Sequence, residues 1–264
     1  MRKWILGLVT AASVFTASAQ DGDVLQHSDI YHFIDRMDIK GVTGRAIPTE
    51  TKPYAREQVA EWLANLDSSE LHPKDLRRLH NIRYRVDDEY ASEGNRGIWN
   101  AFYRNHRDLY SYRSEKFRFY VNPQLYISAG ADQTSINADS AAGISASKLN
   151  NFLFRNTRGL ALRGSLWNKV GFYMDFSDNQ VKYPNFVVRN FEEQNNNALF
   201  GEGFVKQYSR GGYDYLAGKG YLTYSPVKQL RIKFGRDRLF LGNGIQSMML
   251  SDHATDYFFL NLRT

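Results

Sequence analysis

Near residue 116 the hydrophobic pattern of this chain changes its period, and that change limits the fold more than any other feature. In KFRFYVNPQLYISAG every odd position from Phe117 to Ala129 is apolar or proline. The even positions carry Lys116, Arg118, Tyr120, Asn122, Gln124, Tyr126, Ser128 and Gly130. A period of two belongs to a strand, whose successive side chains leave opposite faces. The run outlasts the ~5–6 residues of an ordinary strand and meets the ~9–11 that a strand needs to cross a bilayer. Pro123 has no N–H to give a ladder, so it marks either a bulge or a free edge.

Five similar runs follow. Leu160, Leu162 and Leu166 alternate with Ala161, Arg163 and Ser165. After a tight turn at Asn168-Lys169, Val170, Phe172, Met174 and Phe176 alternate with Gly171, Tyr173, Asp175 and Ser177. Tyr213 to Ser225 is rich in Tyr and Gly, and Pro226 opens a second short turn. Leu230, Ile232 and Phe234, then Phe258, Leu260 and Leu262, complete the set. The connections read long (131–154), short, long (179–212, with EEQNNN), short, long (236–255). Clipped turns at one end and extended loops at the other are the pattern of an outer-membrane barrel.

Upstream the period is helical. Ser28 caps a segment with Ile30, Phe33, Ile34 and Met37 on one face, and Gly41 and Gly44 stop it. A second helix, from about Ala55 to Leu66, carries Val59, Trp62, Leu63 and Leu66. A third starts at Pro73 and carries Leu76, Leu79, Ile82, Val86 and Tyr90. Three amphipathic helices can bury their stripes against one another. The first residues, MRKWILGLVTAASVFTASAQ, have a basic start, an apolar run and Ala17-Ser18-Ala19, as in a secretory leader cut before Gln20. A membrane anchor is the alternative, but the apolar run is shorter than the ~20 residues it needs. The expected organisation is a signal peptide at 1–19, a helical domain at 20–92, a connector at 93–115 and strands at 116–264.

Composition bears on class. When Arg2 and Lys3 leave with the leader, net charge falls from +6 to +4, which implies no nucleic-acid partner. There is no cysteine, hence neither a disulfide nor an N-terminal lipid anchor, and aromatics reach 14%. These numbers suit an outer-membrane barrel and leave a soluble periplasmic β-protein open. If the apolar faces meet lipid, the inward positions include Lys116, Arg118, Arg163, Lys219, Arg231, Lys233 and Arg263 against Asp175. Such a basic wall would attract an anionic glycan, unless acids on further strands balance it. Tyr120, Tyr126, Tyr173 and Tyr215 lie on the same side, placed to stack on sugar or to fill space.

Other motifs speak against catalysis. Gly242-Asn243-Gly244 lacks the Lys and Ser/Thr of a nucleotide cradle and reads as a backbone turn. Ser251-Asp252-His253 has the residue types of a hydrolase triad, but neighbours in sequence rarely converge as nucleophile, base and orienter. The histidines show no metal-ligand spacing. No enzyme, cofactor or metal is expected.

The segments GRDRLFLGNG (235–244) and QSMMLSDHA (246–254) resemble the signature of the Wzi family of outer-membrane capsule-assembly proteins, most closely its Bacteroidota members. HSDIYHFIDRMDIKG and TKPYAREQVAEWLANL resemble its N-terminal helical module, and FYVNPQL its first strand, so the likeness covers most of residues 27–264. The resemblance implies a closed barrel preceded by a small periplasmic helical domain. It implies that capsular polysaccharide is bound and organised at the surface, without catalysis. The chain departs from the pattern in its strand number and in lacking a terminal aromatic residue, so further hairpins are expected after Thr264.

The combined expectation is a mainly β chain: about the first six strands of a transmembrane antiparallel β-barrel after an α-helical periplasmic domain. The expected partners are capsular or surface polysaccharide and outer-membrane lipid, with other surface-assembly proteins as further candidates. Arg236, Asp237, Arg238, Asn243, Asp252 and His253 from the signature segment, with Arg231, Lys233 and Tyr173 from the inner wall, are the expected polysaccharide contacts. An accessory outer-membrane role in gliding motility or secretion is the alternative.

Overall fold

The computed structural model describes residues 22–25, 28–42, 47, 50–69, 71–88, 90, 107–132, 152–194, 198–199, 201–227, 229–242 and 247–264. A helical module comes first: α1 (Asp29–Ile39), the short β1 (Thr51–Lys52), α2 (Arg56–Asn65) and α3 (Pro73–Val86). Ser28 Oγ accepts the Ile30 N–H at 3.3 Å, satisfying one of the donors that a helix start leaves unpaired. Pro73 occupies the first turn of α3, and His72 Nδ1 accepts the Lys74 N–H there. The expected stripes are the buried ones. Ile30, Phe33, Ile34 and Met37 pack with Val59, Trp62 and Leu63 and with Leu79, Ile82 and Val86 in one core. At its rim, Arg36 of α1 and Lys40 at its C-cap hold Asp75 of α3 at 3.0 and 2.6 Å.

The remaining elements are β2 (Tyr110–Arg113), β3 (Phe117–Ala131), β4 (Phe152–Leu166), β5 (Val170–Lys182), α4 (Asn185–Gln194), β6 (Ala198–Leu199), β7 (Gly203–Phe204), β8 (Lys206–Ser209), β9 (Gly212–Val227), β10 (Leu230–Asp237), β11 (Phe240–Leu241) and β12 (Tyr257–Arg263). One antiparallel sheet runs β12-β10-β9-β5-β4-β3-β2, with β8 added to β9. It curls into an open half-barrel; among the described residues no pairing joins β12 to β2. The six runs expected from sequence are the six long strands, each with the expected face.

Several details differ from expectation. β2 lies in the stretch read as a connector and pairs Tyr110 with Val121. β3 pairs with β4 straight through Pro123↔Leu160 without a bulge, and β2 ends short of Pro123, so the free-edge alternative holds. In the β4–β5 turn the two left-handed residues are Trp167 (φ 49°) and Asn168 (φ 52°), one residue earlier than expected. Such a pair gives the primed turn that matches strand twist. The loop after β5 is not simply polar. It holds α4 and β6 to β8, and Val188, Phe191, Leu199 and Val205 pack with Val181, Tyr213 and Tyr215 in a second core. β11 folds back from β10 to pair with β1, matching Thr51 with Leu241.

The two faces of the sheet have opposite chemistry. On the convex face Leu125, Ile127, Met174, Phe176, Leu222, Phe234, Phe258, Leu260 and Leu262 are all exposed. On the concave face Arg163, Ser165, Asp175, Ser177, Asn179, Thr223 and Lys233 are buried. The apolar core of the molecule therefore lies in the helical module and under α4, not behind the sheet.

Ile34 is fully buried in the helical core and Ile127 is 80% exposed on the sheet. Ile34→Ala is expected to cost about 2–5 kcal/mol. Ile127→Ala, which leaves no cavity, is expected to cost far less. Denaturant unfolding of the whole chain in detergent micelles checks the contrast.

Candidate functional site

The concave face is organised by cross-strand rows. Tyr120, Arg163, Tyr173 and Tyr221 stand opposite one another on β3, β4, β5 and β9. The Arg163 guanidinium lies 3.8 Å over the Tyr120 ring, and the Tyr173 and Tyr221 rings stack at 5.3 Å. The row continues through Gly235 to Phe259. A Cβ on Gly235 would stand 2.5 Å from Tyr221 Cβ, so only glycine fits there. The Lys233 ammonium uses the vacated space, 3.7 Å from the Tyr221 ring and 5.1 Å from Phe259.

The helical module is clamped onto this row by charge. Asp23 meets Arg231 at 2.7 Å and Lys233 at 2.8 Å, and its N–H donates to Tyr221 Oη at 2.6 Å. Asp88, just after α3, meets Arg163 at 3.2 Å and also pairs with Arg107 and Arg56. Asp108 faces Arg163 at 3.2 Å and Arg107 at 3.1 Å. Burial pushes the Asp88 carboxyl up, but Arg163, Arg56 and Arg107 outweigh it and hold the group far below the carboxylate range. Asp108 and Asp23 are lowered the same way against burial, Asp108 chiefly by Arg163 and Asp23 chiefly by Arg231 and Lys233. Burial, with Arg163 beside it, brings Arg56 down to about 9, because three guanidiniums here share two carboxylates.

These contacts correct the expected basic wall. Arg163, Arg231, Lys233 and Lys219 each face a carboxylate, the last being Asp175 at 3.6 Å. Arg263 donates to the Pro53 carbonyl, and Arg118 to Ser165 and Asn168. The acids that face these cations come from the N-terminal module, from Asp108 and from Asp175 and Asp237 on the wall itself. Counting charge along the strands alone missed them, since Asp23 is 208 residues from Arg231.

Farther toward the long-loop end the concave face opens into a cavity of ≈ 360 Å³. It exists because the wall there carries small residues: Gly159, Ser177 and Ala217 stand opposite one another, next to Ala161. Uncharged polar groups line part of it, beside Asp175 and Lys219 of the wall. Gln124 Nε2 donates to Asp175, and Asn179 accepts from Thr157 and donates to Ser177. Its roof is ionic. Arg155 donates to Tyr215 Oη at 2.6 Å and meets Glu202 at 3.4 Å, while Arg238 meets Asp256 at 2.8 Å and Glu202 at 3.7 Å.

The expected contact residues thus fall into separate places. Arg231, Lys233, Asp237 and Tyr173 lie together in the buried clamp around Asp23, where Lys233 also meets Asp237 at 3.3 Å. Arg238 alone reaches the cavity. Arg236 is exposed on the convex face in register with Phe258. Asn243 lies outside the described residues. Asp252 is buried, with Ser251 Oγ and His253 Nδ1 both turned to its Oδ1 at 3.3 and 3.2 Å, so the hydrogen bonds run around the carboxylate rather than along a Ser–His–Asp relay. Asn179 and Arg155 were missed, although extending the period-two pattern of β5 by one step and of β4 by three reaches them. Glu202 and Asp256 carry no such signal.

Comparison with protein-family models, with curated proteins and with solved structures gives no match.

Two outcomes test these ion pairs, one in the clamp and one at the rim of the helical core. Asp88→Ala strands buried guanidiniums and is expected to cost about 3–5 kcal/mol. Adding Arg163→Met should recover part of it, read as the unfolding midpoint in denaturant. Acid should act likewise. A carboxyl lowered in the folded state contributes stability above its ordinary value of 3.8 and loses it as pH falls. Hydrogen bonds from Arg36 and Lys40 bring Asp75 down to about 2, against burial. Protection of the α1 and α3 amides, taken relative to the intrinsic exchange rate at each pH, should therefore be high at about pH 5 and fall steadily between pH 4 and 2.

Proposed function

We propose that this protein is an outer-membrane barrel protein of the capsule-assembly kind, which binds surface polysaccharide on its concave side and helps to organise it. The helical module faces the periplasm. One observation carries the reading: the exposed face of the curled sheet is apolar while its enclosed face is polar and charged. A soluble sheet buries its apolar face, and a contiguous apolar patch of this kind marks a surface that meets lipid or protein.

The dimensions and chemistry agree with lipid. Along β9 the convex face runs from Leu216 to Tyr224, roughly 27 Å at about 3.3 Å per residue. Tilted by about 35–45°, as barrel strands are, it stands about 20 Å tall, near the ~25 Å of an outer-membrane apolar band. Tyr110, Phe117, Phe119 and Phe172 form an aromatic cluster on that face near the short turns, and aromatic girdles flank such bands. Arg158 and Asp178 pair at 3.0 Å where the apolar rows stop. The module's charged contacts, Arg163 and Arg231, lie near the short-turn ends of β4 and β10, and short turns are the periplasmic ones. The polysaccharide half of the reading rests on the polar cavity at the other end and on the sequence resemblance.

Phe234→Lys, on the convex face, is expected to cost about 2–4 kcal/mol of membrane assembly. Tyr126→Lys, on the concave side, should cost little. Membrane fractionation reads both. Cells lacking the gene should shed capsule into the medium. A chain recovered from the soluble fraction, or unaltered capsule retention, contradicts the reading.

A further inference from the structure

We infer that the cavity on the concave face takes an uncharged sugar unit rather than an acidic one. The inference rests on the polysaccharide reading and sharpens it. The cavity, ≈ 360 Å³, is of the size that holds a small ligand. Its charged groups cancel in pairs: Arg155 with Glu202, Arg238 with Asp256, Lys219 with Asp175. An acidic sugar entering it must give up its water, and each cation it meets is already engaged with a carboxylate. A hydroxyl group both donates and accepts. It can insert beside such pairs, and beside Gln124, Ser177 and Asn179, without leaving a charge uncompensated.

Pairing with carboxylates likewise weakens the long-range field that draws polyanions to a surface. On β10 and β4, Arg231, Lys233 and Arg163 are bound up with Asp23, Asp88 and Asp108. What the concave side offers a glycan is therefore a local array of hydrogen-bonding groups. Its small-residue floor, Gly159 and Ala217, gives a sugar ring room to approach the sheet.

The test uses the full chain in detergent micelles and calorimetric titration with neutral oligosaccharides. Each is paired with the same backbone carrying a uronate. A neutral oligosaccharide should bind, its uronate counterpart about tenfold more weakly, since one buried group is then left unsatisfied. Salt should change the neutral affinity by less than about twofold, because no charge is being screened. Gln124→Leu and Asn179→Leu should each weaken binding about tenfold. Gln124 is half-buried, so its variant stands as the test if Asn179→Leu unfolds. Tighter binding of the uronate form, weakening with salt, overturns the inference and leaves the polysaccharide reading standing. Neutral binding that ignores both substitutions overturns it too. No binding of either class overturns both.

Discussion

Two carboxylates decide how this molecule is put together. Asp23 and Asp88, one before the first helix and one after the third, reach Arg231, Lys233 and Arg163 on the concave face of the sheet. Both carboxylates are buried, and each carries charge that could not be left unpaired away from water. The helical module has its own apolar core, yet its place on the sheet is set by these pairs. A buried ion pair adds little net stability, but breaking one side is costly. The clamp therefore fixes position more than it adds stability, and the module has one seat.

That seat shapes what remains of the concave face. The rows Tyr120–Arg163–Tyr173–Tyr221 and Lys233 are consumed in holding the module. Only the rows beyond them, with Gly159, Ser177, Ala217, Asn179 and Tyr215, stay open to form the cavity. A sheet that looked uniformly basic from its sequence is divided into an occupied half, where several cations share each acid, and a vacant half whose charges pair one to one. On the proposed reading, the vacant half is the one that meets glycan.

How much of this was legible depends on the range of the interaction. Period two is a local property of each strand, so β3, β4, β5, β9, β10 and β12 and their two faces followed from sequence. So did α1 to α3, whose stripes and caps are equally local. α4 was hidden because EEQNNN marks its end as a loop, although Val188 and Phe191 sit at helical spacing. β1 and β11 are two-residue pairings made only by the fold and leave no pattern. The site was least legible. Residues of the signature segment scatter, with Arg236 outside, Asp237 in the clamp and Arg238 at the cavity, because consecutive residues at a strand end point in different directions. The charge balance in the clamp lies in contacts 55 to 208 residues apart, which no window along the chain can register.

The central claim is that the convex face lies in lipid and the concave face does not. The chain has no cysteine, so single cysteines carrying spin labels can be placed at Leu222 and Phe234 on one face and at Lys219 and Tyr126 on the other. In proteoliposomes the account predicts that oxygen, which partitions into lipid, relaxes the first pair, and a water-soluble nickel reagent the second. Leu222 and Phe234 labels relaxed by the nickel reagent as strongly as those at Lys219 and Tyr126 would contradict it.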